Sequence, residues 1–292
     1  MFAALLIYLM TAWLHPPIQD KPSADVGVAQ VQEQSLEQVV LKAFRLSHEG
    51  YSSDEVILND KLNQRFLKQC RSRNASASAF ECNWKLMNMR KAGKLKSVET
   101  TKRGQRPENS LRYVAEIASR TLMDQHGVSI DKIMADPKKR AAFDQHVHRY
   151  DKSLDLYAVR KAAFQLRKAR KLRPELITRI ADWDRKIASH AVGTIRQQPN
   201  QIPELPGVYI FHDESGYLYI GQAEDLRQRL KQHLDESSNA ALFDYLQQGD
   251  SREIWVEIHS FPADSRAKEL VIRRAYESEL IRSRKPKFNI LP

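Results

Sequence analysis

The sequence predicts an α/β chain, α+β overall: a small three-stranded antiparallel sheet flanked by helices at the C-terminus, preceded by a mostly helical region that occurs twice. Three observations carry this reading. β-type runs around a polar, Gly-containing turn are confined to the residues after Pro203. A stretch of about sixty residues recurs at a constant offset, the mark of a duplicated module. Basic residues are concentrated in the recurring stretch and not after it.

A chain of 292 residues has room for two or three cores. With 42% hydrophobic and 28% charged residues, the composition is that of a globular protein, not a fibrous or disordered one. Two cysteines, Cys70 and Cys82, give neither a disulfide framework nor a paired zinc spacing. A reducing compartment and two buried thiols are expected. The net charge of +11 suggests a polyanionic partner, and its distribution says more. Residues 36–202 hold 34 Lys and Arg against 18 Asp and Glu, whereas residues 203–292 hold 12 against 15. Long-range attraction to phosphates must therefore come from the middle of the chain.

Residues 1–14 are mostly apolar, too short to span a bilayer comfortably, and without a basic n-region or a small-x-small cleavage site. A poor signal, a short anchor and a start codon assigned too early are the readings open, and the last is preferred. With the Pro-containing stretch that follows, residues 1–35 read as an apolar start and flexible leader.

Helical periodicity begins at Leu36. Arg90-Lys91-Ala92-Gly93-Lys94-Leu95 recurs as Arg167-Lys168-Ala169-Arg170-Lys171-Leu172, an offset of 77. The same offset pairs Gly50 with Gly127, Ser52 with Ser129, Asp54 with Asp131 and Phe66 with Phe143. Two helical basic repeats, 36–97 and 113–174, are expected. Asp54 and Asp131 read as helix N-caps. Several small helices ending in a basic helix and turn loosely resemble a helix-turn-helix or winged-helix module. On that reading Arg90, Lys91, Lys94, Arg167, Lys168, Arg170 and Lys171 meet nucleic-acid phosphates. A helical spacer with solvated cations is the alternative. Residues 100–109 read as a loop or wing, and residues 175–202 as a helix running to about His190 and then a linker.

From Leu205 the pattern changes. Gly207-Val208-Tyr209-Ile210-Phe211 and Tyr217-Leu218-Tyr219-Ile220-Gly221 flank a polar turn, which predicts a hairpin. Asp225 caps a helix whose Leu226, Leu230 and Leu234 form an apolar stripe. A short helix follows over about 240–248, an alternating strand over 254–261, and a long helix over about 264–284.

Here the residues resemble a known family. Gly207-Val208-Tyr209 and Tyr219-Ile220-Gly221 are similar to the two signatures of GIY-YIG nucleases, and the resemblance covers 203–292. Arg229 and His233 fall on the first helix where that family keeps an arginine and often a histidine. Glu277 matches its metal-binding glutamate and Asn289 its terminal asparagine. The resemblance implies hydrolysis of a phosphodiester, with DNA the expected nucleic acid, using one divalent cation, Mg2+ or else Mn2+, held by Glu277. It also implies that Tyr209 serves as general base, Arg229 contacts the phosphate, Tyr219 and His233 assist, and Asn289 braces the site. The residue types suit the reaction: a hard carboxylate for a hard cation, and a guanidinium for building charge. Taken singly, each has a plainer use: core tyrosines, turn glycines, a solvated histidine, a helical ion pair between Glu277 and Arg273. Many members carry a further histidine where this chain has Ser237-Ser238-Asn239, so Asn239 stands in its place. A non-catalytic binding or regulatory protein on a degenerate nuclease fold is the alternative function. A DNA-cutting enzyme is expected in the cytoplasm, beside the nucleoid.

Overall fold

A computed structural model gives the arrangement of residues 35–173, 175, 177–178, 183–236, 239–247 and 253–289. The apolar start, most of the leader, and Ser237 and Ser238 lie outside these described residues. Among the described residues no helix is long and apolar enough to cross a membrane.

The helical region opens with α1 (Leu36–Ser47), α2 (Ser53–Leu58), α3 (Asp60–Arg71) and α4 (Ala79–Lys91). It continues with α5 (Arg112–His126), α6 (Ile130–Ala135), α7 (Pro137–Tyr150) and α8 (Leu156–Lys168). The boundaries of α2 and α6, and of α4 and α8, differ by the sequence offset of 77 at both ends. All eight helices share one core, with Phe44, Phe66, Leu86, Met87, Phe143 and Phe164 buried in it. Cys70 and Cys82 are free, buried thiols of that core.

The caps differ from expectation. Ser52 is the N-cap of α2, its hydroxyl accepting from Glu55 N–H, and Ser129 occupies the same place before α6. Asp54 and Asp131 lie inside those helices, where their carboxylates serve the ion pairs described below. Residues 100–108 form a loop with no strand, so this stretch contains no wing.

The sheet has four strands rather than three, in the order β1-β4-β2-β3, all neighbours antiparallel. They are β1 (Lys186–Ala191), β2 (Gly207–Asp213), β3 (Gly216–Ala223) and β4 (Trp255–Ser260). The added strand is β1, from residues read in sequence as the end of a helix. It pairs with β4 from Lys186 opposite Ser260 to Ala191 opposite Trp255. The free edge of β4 supplies a ladder of backbone partners, and such pairing overrides a weak local preference. Nor is the stretch before Pro203 a loose linker. It forms α9 (Val192–Gln197) and a 3-10 turn, with Val192, Ile195 and Ile202 buried.

One sheet face carries Tyr209, Phe211, Val256 and Ile258. It is covered by α9, by α10 (Leu226–Asp235) and by α11 (Ala240–Gln247). Asp225 caps α10 as expected, its Oδ1 accepting from Gln228 N–H at 3.0 Å. The other face carries Val208, Ile210 and Ile220 and is covered by α12 (Leu270–Arg284), through Tyr276, Leu280 and Ile281. Ile117 of α5 belongs to that same core. Around it runs a buried polar seam. Thr121 Oγ1 donates to Glu257 at 2.5 Å, Tyr150 Oη lies 2.9 Å from His212 Nδ1, and Arg284 pairs with Asp124 at 2.8 Å. The helical region and the sheet therefore share buried structure; they are not beads on a string.

Candidate active site

The site lies on the α10 side of the sheet. Tyr209, in the middle of β2, stands opposite Gly221 of β3. A Cβ at Gly221 would lie 2.3 Å from Tyr209 Oη, so only glycine leaves the phenol room across the ladder. Gly207 is constrained in the same way: a Cβ there would meet the His259 carbonyl oxygen at 2.4 Å and Leu226 Cδ1 at 2.5 Å. That glycine lets the first turn of α10 close on β2.

Because α10 closes there, its second turn reaches the phenol. Tyr209 Oη lies 2.7 Å from His233 Nε2, and both side chains are buried. The Tyr219 ring completes a three-ring cluster, with centroids 6.3 Å from Tyr209 and 5.3 Å from His233. Burial, with Arg229 close by, lowers the His233 pKa to about 4, so the imidazole is neutral at neutral pH. Burial and the neighbouring Tyr219 push the Tyr209 hydroxyl well above its ordinary value, while Arg229 pulls it back. Tyr219 is raised too, by burial and then by the charge of Glu277.

Glu277 sits two turns into α12, half-buried. Burial raises its pKa; the Gln222 backbone N–H, Arg274 and Arg229 oppose that rise. Its carboxylate is thus held beside the tyrosines with its charge incompletely compensated. A hard oxygen donor in that state fits a hydrated divalent cation. Arg273 does not take the helical ion pair with Glu277. Its Nε donates to Gln222 Oε1 at 3.1 Å, and Nη1 donates to the Lys268 carbonyl.

Asn289 braces the edge. Its side-chain amide donates to the Ile220 carbonyl and accepts from Ile220 N–H, both at 2.8 Å, as an added strand residue would. Lys287 N–H and Phe288 N–H donate to the Tyr217 and Leu218 carbonyls. The tail thereby covers the exposed edge of β3.

A family model described as the UvrC-like GIY-YIG domain matches residues 205–290. This segment is a GIY-YIG nuclease domain. Curated relatives include UvrABC system protein C of Hydrogenobaculum sp. (strain Y04AAS1), 35% identical over 94 residues, 30% of this chain and 14% of that protein. The same-named protein of Symbiobacterium thermophilum is 34% identical over 97 residues, 33% of this chain and 14% of that protein. That of Thermosipho africanus is 36% identical over 92 residues, 31% of this chain and 14% of that protein. The chain thus spans about one seventh of the length of these relatives. No solved structure matches.

Within the GIY-YIG domain, Asn239 is a structural residue. Its Oδ1 accepts from Leu242 N–H and its Nδ2 donates to the Phe288 carbonyl, which caps α11 and ties down the tail. A second group of possible metal ligands, Asp124, Glu257 and His259, lies on the opposite sheet face. The buried Arg284 guanidinium already lies among them, 2.8 Å from Asp124 and 3.5 Å from Glu257. Gln222 and Arg273 are the participants that sequence reasoning missed. The signal was present, since Gln222 follows the second signature directly and Arg273 precedes Glu277 by one helical turn.

Most of the basic residues singled out in the helical region form ion pairs within it. Arg90 pairs with Asp54 at 3.3 Å and Lys91 with Asp131 at 2.8 Å. Lys168 pairs with Asp54 at 3.1 Å, Arg167 with Asp131, and Lys94 with Glu37 at 2.6 Å. Residues 77 apart are paired alike: Arg90 with Asp54 as Arg167 with Asp131, and Lys91 with Asp131 as Lys168 with Asp54, while Arg167 also lies 3.7 Å from Asp54. Arg170 and Lys171 have no side-chain partner among the described residues.

Proposed function

We propose that this protein is a divalent-cation-dependent endonuclease that hydrolyses phosphodiester bonds of DNA at Tyr209, Tyr219, Arg229, His233 and Glu277. The observation that carries this reading is the 2.7 Å contact between a buried phenol and a buried neutral imidazole, beside a carboxylate suited to a cation.

The chemistry follows from that contact. Tyr209 donates its proton to His233 Nε2 while its oxygen takes one from the attacking water, so no free phenolate need form in the buried site. This requires the His233 tautomer with hydrogen on Nδ1. The water oxygen bonds to phosphorus, the opposite P–O ester bond breaks, and the departing oxygen takes a proton from solvent. Arg229 meets the negative charge that builds on the phosphoryl oxygens. Tyr219 orients the water or a phosphoryl oxygen. Glu277 would hold the cation, Mg2+ or Mn2+, which when bound neutralises phosphoryl charge.

Attraction to DNA comes from the helical region, which keeps its large positive balance although many of its cations are paired. We assign the phosphate contacts to exposed cations such as Arg170 and Lys171, and assign Arg90, Lys91, Arg167 and Lys168 mainly to joining the two copies. The helical region is joined to the nuclease domain through Ile117 of α5, which packs in the sheet core.

The test is cleavage of supercoiled plasmid, branched and single-stranded DNA by the full chain, with Mg2+, Mn2+ or EDTA. Tyr209→Phe serves as the variant. Nicking that EDTA abolishes and Tyr209→Phe reduces at least a hundredfold is expected. Saturable DNA binding without cleavage under either cation would overturn the enzyme reading in favour of a binding protein.

A further inference from the structure

We propose that the cavity lined by α5, the start of α6 and the segment that follows α8 is a binding site for a phosphate-bearing ligand of nucleotide size, gripped by Arg170 and Arg173. The proposal deepens the phosphate contact assigned to Arg170 above and rests on none of the catalytic residues.

The first observation is a strained residue. Helices α4 and α8 end in the same way. Lys94 N–H reaches back to the Met89 carbonyl at 2.9 Å, and Lys171 N–H to the Leu166 carbonyl at 2.9 Å. This ending needs a left-handed residue one position earlier, where glycine is favoured. After α4 that residue is Gly93, with φ +71°. After α8 it is Arg170, with φ +57°. The same backbone has thus been built twice, once with the favoured residue and once with a costly one. A strained residue that its own twin shows to be avoidable points to a role for its side chain.

The second observation is what that side chain faces. Arg170 and Arg173 line a cavity of about 450 Å3, the size range of small-ligand sites. Its three acidic residues are already neutralised. Asp131 pairs with Lys91 and Arg167, Asp124 with Arg284, and Glu175 with Arg120. Arg170 and Arg173 have no ion-pair or hydrogen-bond partner for their side chains among the described residues. Met123, Val128 and Leu172 supply an apolar wall. Two uncommitted guanidiniums beside an apolar wall match a phosphate joined to a sugar and base.

A free nucleotide and the terminal nucleotide of a strand present this same chemistry. The experiment separates them in full-length protein carrying Glu277→Ala, so that cleavage plays no part. Dissociation constants are measured for dAMP, and for a short single-stranded oligonucleotide with and without a 5′-phosphate. Arg170→Gly and Arg173→Ala are compared with Arg170 and Arg173 intact, and melting is recorded for each.

The expected result is distinctive. Arg170→Gly melts at a higher temperature, because the strain is relieved, yet binds at least tenfold more weakly; Arg173→Ala also weakens binding tenfold. Preference for dAMP identifies a free nucleotide, and a gain from the 5′-phosphate that Arg170→Gly removes identifies a strand end. Either supports the site. Unchanged affinity of both probes in Arg170→Gly and Arg173→Ala would overturn it, as would failure of the parent protein to bind either probe saturably.

Discussion

Replacing Gly221 by alanine tests the site's construction without touching any reacting group. A Cβ at that position lies 2.3 Å from Tyr209 Oη and 2.5 Å from Cζ. Ordinary contact between such atoms is roughly 3.4 Å or more, so the phenol must retreat by about 1 Å. It has little room, because its hydroxyl lies 2.7 Å from His233 and its ring rests on Phe211 and Tyr219. Overpacking of this kind costs about 1–3 kcal/mol of stability. The catalytic cost is larger, since a misplacement of about 1 Å lowers a rate on the order of 100-fold. Single-turnover cleavage and urea denaturation of Gly221→Ala, beside wild type, measure the two effects separately. A folded variant that retains more than about a third of wild-type activity would refute the argument that Gly221 exists to seat Tyr209.

Three further outcomes follow from particular contacts. Arg273→Met releases Gln222, whose backbone N–H supports Glu277; the cation concentration for half-maximal cleavage should rise about tenfold while the rate at saturating cation stays near wild type. An unchanged cation requirement would remove Arg273 from the site. His233 has a pKa of about 4 in the fold against roughly 6.5 unfolded, so its contribution to stability is complete above pH 6.5 and falls as pH drops through 6.5 towards 4. Over that window wild type should lose roughly 3 kcal/mol more than His233→Gln, as read by urea denaturation at each pH; parallel pH profiles would contradict the burial argument. Asp131→Asn strips Lys91 and Arg167 of a carboxylate that is only 11% exposed. It should destabilise the helical region by about 3 kcal/mol in urea denaturation, whereas a loss below about 0.5 kcal/mol would return these cations to the solvent.

The hairpin and its helices were legible in sequence because their signals are local. Gly207-Val208-Tyr209, the polar turn and Tyr219-Ile220-Gly221 mark two strands in register, and Asp225 with its leucine stripe marks α10. The reason for Gly221 is not local: it appears only once the ladder sets it opposite Tyr209. Strand β1 could not be read because Lys186-Ile187-Ala188-Ser189-His190-Ala191 contains a single β-branched residue, and its partner β4 lies about seventy residues away. The offset of 77 was legible, and the boundaries of α2 and α6 and of α4 and α8 are spaced by it. The use of the basic residues was hidden for the opposite reason. Charge patterns reveal partners three or four residues apart, whereas Arg90 lies 36 residues from Asp54 and Lys91 lies 40 from Asp131. Of the site residues, Gln222 and Arg273 escaped because each acts through a neighbour's carboxylate or amide and carries no signature of its own.

We propose that phosphodiester hydrolysis occurs in the GIY-YIG domain with the cation held by Glu277. The most direct test compares wild type and Glu277→Ala in one preparation series, measuring both DNA binding and cation-dependent nicking. Glu277→Ala is expected to bind DNA as wild type does and to make no nick above background in Mg2+ or Mn2+. Nicking by Glu277→Ala at the wild-type rate would contradict it.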